Sequence, residues 1–441
     1  MSSYDLIVRG GVVVQADGRR AADVGIKDGK IVAVGPCSGD AVETFDARGL
    51  FVLPGAIDTQ VHFREPGFEH KEDLETGTRA ALLGGMTGVF EMPNTKPATT
   101  TVDLFEQKLA RMQGRAWVNY AFYVGATPDN ADVLAALENR RGCAGTKIFM
   151  GSSTGNLLVA EDAAVERILR KGKRRVAVHC EDEERLKSRK AVVPPGGAPT
   201  WHPIWRDVEC ALGATRRLVR LARKTGRRVH VLHVTTREEI AFLRSQKDIA
   251  SVETSPQHLT LFAPECYERL GTYAQMNPPI RDVSHREGLW EGIRDGTVDV
   301  IGSDHAPHTR EEKDAGYPNT PSGMPGVQTY LMVLLDHVNA GRLTLERVVD
   351  LSSYGAARIF GLRGKGRVDV GYDADLTLID LGAEFTVTNA WIASRCNWTP
   401  YDGMTFKGRA TASVIGGKIA LRDGAIVGAP KGAPFVFEGQ I

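Results

Sequence analysis

The sequence predicts an α/β chain: a (β/α)8 barrel of the TIM type carrying a small composite β-sandwich domain built from both termini. Three observations predict it. Eight short apolar runs recur through the middle of the chain: AIDTQVH (56–62), TGVFEM (87–92), WVNYAFYV (117–124), GTKIFM (145–150), RVAVHC (175–180), RVHVLHV (228–234), SVETS (251–255) and VDVIGS (298–303). Helical patterns lie between them, among them LETGTRAALLGG, VDLFEQKLARM, EDAAVERILRKG, ECALGATRRLVRLARKTG and REEIAFLRSQ. That alternation defines βα units around a parallel sheet. The two ends read differently. Residues 4–53 hold LIVRGGVVV, a turn at Ala16-Asp17-Gly18, and DVGIKDGKIVAVG with an Asp28-Gly29 hairpin signal. GRVDVGYDADLTLIDL and SVIGGKIALRDGAIVG repeat the β character near the other end. The expected division is therefore a composite β domain from 1–53 and 366–441, and a barrel from 54–365.

Composition narrows the classes. The chain has 441 residues, 42% hydrophobic, and a formal net charge of +1. That balance offers nothing to a polyanion, so no nucleic-acid partner is expected. The basic segments RKGKRR (170–175) and RLARKTGRR (220–228) read as solvated helix ends, where positive charge complements the helix dipole. No apolar run approaches the roughly 20 residues needed to span a bilayer, so no membrane partner is expected. The Met1-Ser-Ser-Tyr-Asp start lacks a basic and then apolar signal segment. Six cysteines at 37, 143, 180, 210, 266 and 396 are scattered, which predicts reduced thiols in a cytoplasmic protein. Two Pro- and Gly-rich stretches, 181–205 and 304–325, sit where a barrel keeps its active-site loops.

Ligand-type side chains recur at the C-terminal ends of the predicted strands. In GAIDTQVHFREPG (55–67), Gln60, His62 and Arg64 alternate and so share one side. Lys147 lies in the fourth strand, His179 ends the fifth, His233 ends the sixth, and Asp304 follows the eighth. In a barrel these ends converge, and nitrogen donors with a carboxylate suit zinc or another borderline first-row metal. Each residue has an ordinary reading too. A lone strand histidine is usually structural, Lys147 alone would be a snorkelling lysine, and Asp304 alone a loop residue or helix cap. His230, three residues before His233, is expected on the opposite side, toward the helical layer, and Cys180 outward for the same reason. Arg64 offers a planar fork of donors for a carboxylate, against a surface ion pair with Glu65. Asn94, in EMPNTKP, offers a strand-end amide or is a turn residue.

These motifs resemble those of the cyclic amidohydrolases, above all the dihydroorotases. The opening signature of that family reads Asp-x-His-x-His-x-Arg-x-Pro-Gly, and Gln60 stands where its first histidine stands. The resemblance runs from GLFVLPGAID to GYDADLTLID and includes GTKIFMGSSTGN, GSDHAPH and QMNPPIRD. SPQHLTL (255–261) is similar to the strand-seven Thr-Pro-His-His-Leu, with Gln257 at its first histidine, which marks a divergent branch.

The resemblance implies a zinc-dependent hydrolase of cyclic amides that interconverts dihydroorotate and N-carbamoyl-L-aspartate in pyrimidine biosynthesis. It implies one or two Zn2+ ions and an N6-carboxylysine at Lys147 that bridges them. His62 and Asp304 would hold one ion, with Gln60 a weak ligand or none, and His179 and His233 the other. Asp304 would be the catalytic acid–base. Arg64, Asn94 and His308 would grip a substrate carboxylate, and Asn277 would touch the substrate through its backbone. Arg64 argues against allantoinase or dihydropyrimidinase chemistry, whose rings carry no carboxylate there. Two alternatives stand beside it: another cyclic amidohydrolase activity of the allantoinase or dihydropyrimidinase type, and a weakly active paralogue serving as structural partner of a transcarbamoylase; such paralogues lose several ligands, and here one is replaced. A homo-oligomer, dimer or tetramer, is expected.

Overall fold

The computed structural model describes residues 3–153 and 157–440. The last three residues of GTKIFMGSSTGN, 154–156, lie outside the described residues.

The chain opens with five strands: β1 (Tyr4–Gln15), β2 (Gly18–Lys27), β3 (Lys30–Val34), β4 (Ala41–Asp46) and β5 (Phe51–Pro54). The β2–β3 hairpin turns on Asp28 and Gly29, at φ 48° and 73°. That is the left-handed backbone an Asp-Gly pair accepts most readily.

The barrel strands follow: β6 (Ala56–Val61), β7 (Met86–Glu91), β8 (Asn119–Gly125), β9 (Cys143–Phe149), β10 (Val176–His179), β11 (Val229–Val231), β12 (Ala250–Thr254) and β13 (Val300–Ile301). They form one parallel sheet in sequential order. Its ends approach where Val61 bridges His305, with His62 N donating to His305 O at 2.7 Å. All eight runs read as strands in the sequence are strands here.

Four more strands return: β14 (Leu376–Thr386), β15 (Thr405–Ile415), β16 (Lys418–Arg422) and β17 (Ala425–Ile426). Residues 366–375, read as β, are irregular. The pairing of β5 with β14, Val52 opposite Leu378, joins the two ends of the chain into one mixed sheet of nine strands. Its buried face gathers Leu6, Val24, Ile31, Val52, Leu378 and Val414.

Barrel helices begin on side-chain caps. Asp73 and Thr76 form a reciprocal capping box for helix Leu74–Leu83. Asp207 caps helix Val208–Thr225, which ends on Gly226 at φ 69°. Outward strand residues such as Val176, Val178, Val229 and Val231 pack under these helices. Among the described residues no helix is long and apolar enough to cross a membrane.

The last segment leaves the β sheet and closes the barrel floor. Tyr120 N donates to Ala433 O at 3.0 Å, and Phe435 N donates to Tyr120 O at 2.8 Å. Phe435 and Phe437 then pack against Phe90, with ring centroids 5.6 and 5.7 Å away. Gly88 permits this: a Cβ there would sit 2.2 Å from the Phe435 ring. The tail seals the N-terminal face, leaving the opposite face for chemistry.

Candidate active site

Side chains from seven loops and strand ends converge at the C-terminal mouth of the barrel. Gln60, His62, Arg64, Asn94, His179, His233, Asn277 and Asp304 all line one cavity, with Phe149, Ser153, Ala306, Ser322 and Gly323. The predicted sharing of a side by Gln60, His62 and Arg64 is present. The pairing of β6 with β7 is irregular between Asp58 and Val61. That irregularity lets Thr59 bond Glu253 inside the barrel while Gln60 and His62 still reach the mouth. Arg64, His233 and Asp304 are three of the six described non-glycine residues with positive φ, at 65°, 34° and 47°. Such backbone is costly and persists where the surrounding structure imposes it, commonly at functional sites.

Two pairs of donors face each other across the mouth. On one side Gln60 Nε2 donates to Asp304 Oδ1 at 2.9 Å, and His62 Nε2 lies 3.1 Å from the same oxygen. His62 Nδ1 is 2.8 Å from Asn94 Oδ1 and donates to it. The Nε2 lone pair is then directed at a carboxylate oxygen, an arrangement that calls for a cation or proton between them. On the other side His179 Nδ1 lies 3.0 Å from His233 Nε2, with the rings edge to face. Lys147 is fully buried, and its Nζ has no hydrogen-bond partner. Burial pulls its ammonium down to about 7, with Asp304 and Glu253 opposing. Its charge in turn acts on His62, His179, His233 and Asp304, so all five belong to one electrostatic cluster. Gln60 Oε1 and His233 Nδ1 are likewise buried and unpartnered.

Among the described residues no three His, Cys, Asp or Glu side chains converge into a set that would hold an ion unaided. The donors come as the pairs His62–Asp304 and His179–His233, with Lys147 Nζ and Gln60 Oε1 buried beside them without a hydrogen-bond partner. The chemistry of the set fits a borderline divalent metal: imidazole nitrogens, a carboxylate and an amine with nothing to bond.

A cationic patch lies beside the metal-type residues. Arg64 is 3% exposed, and burial draws its guanidinium down to about 10. Its Nε donates to Pro307 O at 3.1 Å, and no carboxylate pairs with it among the described residues. His308 does not line the cavity. It packs behind Arg64, with Nε2 3.2 Å from Arg64 Nη2 and 3.1 Å from Ser322 O. Lys71 Nζ donates to His308 Nδ1 at 3.2 Å and pairs with Glu312 at 2.8 Å. Burial, then the charge of Arg64, holds His308 well below the usual imidazole range, so it is neutral. Asn277 accepts from His202 Nε2 at 2.9 Å through its side-chain oxygen.

Both predicted loops reach the site. Ser322 and Gly323 of 304–325 line the cavity, and Lys313 anchors that loop by donating to Gln275 O, Pro321 O and Gly323 O at 3.3, 2.9 and 3.1 Å. The 181–205 stretch contains helix Glu183–Arg189 and, with Arg206, walls an outer chamber of about 470 Å³ that shares Ser153, Asn277 and Ser322 with the lining of the inner cavity.

One expectation is corrected. His230 faces the barrel interior, not the helical layer: its Nε2 lies 3.3 Å from Glu253 and its ring 5.2 Å from Phe360. Strand alternation ends at Val231, and the left-handed turn at His233 brings that residue back to the same side. Cys180 packs outward as expected, and all six cysteines are free and buried. The sequence reading passed over Glu181, which accepts from His179 Nε2 at 2.8 Å. The available signal was its spacing, two residues beyond His179 in HCE and so on the same side.

A parallel barrel with strand-end imidazoles, a carboxylate and a buried amine defines a hydrolase site of the metal-dependent kind. Residues 51–420 match the model of the amidohydrolase family. A dihydroorotase of Halobacterium salinarum is 37% identical over 399 residues, 88% of this chain and 91% of that protein. An allantoinase of Rubrobacter xylanophilus is 37% identical over 446 residues, 98% of this chain and 97% of that one. In structure, the L-hydantoinase (dihydropyrimidinase) of Arthrobacter aurescens superposes with a TM-score of 0.92 at 30% identity, over 97% of this chain and 98% of that one. The chain belongs to the amidohydrolase family, whose members are generally metal-dependent, and it is a cyclic amidohydrolase.

Proposed function

We propose that the chain is a zinc-dependent dihydroorotase, acting reversibly between dihydroorotate and N-carbamoyl-L-aspartate. The observation that carries the choice of substrate is Arg64: a buried guanidinium on the cavity wall with no carboxylate at ion-pair distance among the described residues, opposed only from farther off by Asp304, Glu312, Glu91 and Glu72. A buried charge without a directly bonded counter-ion is costly, which supports a site that receives an anion. A ring bearing a carboxylate supplies it.

His62, Asp304, His179 and His233 would hold zinc, a carboxylated Lys147 would add oxygen donors, and Gln60 would contribute little. When bound, zinc supplies a water acidic near neutral pH, with a pKa of about 7, and polarises the ring carbonyl. Asp304 then accepts the proton of the attacking water and returns it to the leaving ring nitrogen. Gln60 steadies Asp304 by its hydrogen bond. Arg64 and Asn94 orient the substrate through its carboxylate, Asn277, in the loop between β12 and helix Val283–Arg294, touches it through its backbone, and His308 acts through Arg64. We place the enzyme in the cytoplasm, where its six free thiols stay reduced, and read it as a homo-oligomer.

A second reading, allantoin or a dihydropyrimidine as substrate, is favoured by one observation: the allantoinase relative aligns over 98% of this chain at the same identity as the dihydroorotase. Ring opening of dihydroorotate, dihydrouracil and allantoin, followed with and without added zinc, decides between them. Turnover of dihydroorotate alone supports the first reading; turnover of either uncarboxylated ring in preference to it overturns that reading. Labelled bicarbonate tests the modification, which should appear as a carbamate signal absent from Lys147→Arg.

A further inference from the structure

His179 is held from behind by two groups that the proposed reaction does not use. Its Nε2 lies 2.8 Å from Glu181 Oε2. Glu181 is fully buried and gripped by Arg206, with Nε 3.0 Å from Oε1 and Nη2 2.6 Å from Oε2. This is the planar fork that arginine forms with a carboxylate. Arg206 is itself fixed. Arg281 Nη1 donates to Arg206 O at 2.9 Å, while Arg281 Nε donates to Thr235 Oγ1 at 2.9 Å. Arg206 Nη2 also donates to Ser152 O at 2.7 Å, in the segment that leaves β9 after Lys147.

Both Glu181 oxygens accept from Arg206, Oε1 from Nε and Oε2 from Nη2, so Glu181 faces its neighbours as an acceptor and the hydrogen between Nε2 and Oε2 belongs to the imidazole. His179 is left with its lone pair on Nδ1, the nitrogen 3.0 Å from His233 Nε2. A buried ion pair is a poor source of stability compared with apolar packing of the same volume. Control of one imidazole is a better account of its presence.

We infer that Glu181 and Arg206 are positioning residues that lock His179 as the Nε2–H tautomer, in the orientation that offers Nδ1 to a cation shared with His233. The inference rests on the zinc reading above. A hydrogen-bonded carboxylate behind a ligating histidine fixes the ring and raises its basicity, and losing it commonly weakens metal binding about tenfold to a hundredfold.

The test uses the full chain and zinc alone. Zinc affinity is measured by chelator competition, alongside the melting temperature of the zinc-free protein, for wild type and the double variant Glu181→Leu with Arg206→Met. The double variant removes the hydrogen bond and both charges together, so no buried charge is stranded. The expected result is zinc binding weakened about tenfold to a hundredfold at an unchanged zinc-free melting temperature. Equal affinity in a folded double variant overturns the lock. Wild type that binds no zinc overturns the zinc reading instead. Labelled-histidine NMR of the zinc-free wild type needs no variant: Nε2–H at His179 supports the lock, and Nδ1–H overturns it.

Discussion

Gln60 donates to Asp304, Nε2 to Oδ1 at 2.9 Å, so the proposed catalytic carboxylate is hydrogen-bonded where an imidazole would otherwise compete for a metal. An amide is a poor zinc ligand beside imidazole. The two half-sites should therefore differ. Wild type is expected to hold one zinc tightly and a second weakly, and Gln60→His should tighten the second by about tenfold or more. Metal titration checks this, and two equally tight equivalents in wild type would sink it.

Asp304 receives a hydrogen bond from Gln60 at Oδ1, and the same oxygen faces His62 Nε2. Its proposed role is to move a proton, so Asp304→Asn should lower kcat by about 10²–10⁴. The His179 half-site should still bind zinc. Single-turnover kinetics with a metal assay on the same sample separates the two effects, and near-normal turnover rules the role out.

Arg64→Met should weaken the carboxylated substrate by about 2–5 kcal/mol, the range for removing one partner of a buried charged contact. Dihydrouracil, which lacks the carboxylate, should be hydrolysed no worse than by wild type. Comparing kcat/KM for the two rings reads this directly. Equal losses on both would assign Arg64 a structural role.

His202 is fully buried beside Arg206, and burial first, then that charge, lowers its imidazole to about 3. The unfolded chain takes up this proton below its ordinary value near 6.5, and the folded chain does not. Protonation therefore favours unfolding, and stability falls as pH drops from about 6.5 toward 3. His202→Gln should make that acid slope shallower by about 1.4 kcal/mol per pH unit. Urea unfolding between pH 6.5 and 4 measures it, and parallel slopes would refute it.

Phe435 is 2% exposed and plugs the barrel floor opposite Gly88. Phe435→Ala should cost about 3–5 kcal/mol of stability, the usual range for emptying a buried aromatic site. Ring opening should be unchanged at temperatures where the variant is folded, because the plug lies at the other end of the barrel.

Much of this molecule can be read without coordinates. Strand order, the joining of the two ends and the ligand-type residues follow from local patterns. A strand with both faces buried must be short and apolar, and a parallel sheet needs a crossover between its strands. His62, His179, His233 and Asp304 stand where apolar runs end, which is why they could be singled out from spacing; Lys147 lies within its run, and the family resemblance supplied its role.

The partners of those residues could not be. That Arg64 has no carboxylate, that His308 stands behind it, that His230 turns inward and that Arg206 reaches Glu181 depend on which loops meet over the mouth. Those meetings join positions tens to hundreds of residues apart, set by barrel closure and by left-handed backbone at single residues such as His233. Periodicity reports which side of a strand a residue occupies. It carries no information on what the packed chain brings opposite, and there the charge balance of the site is settled.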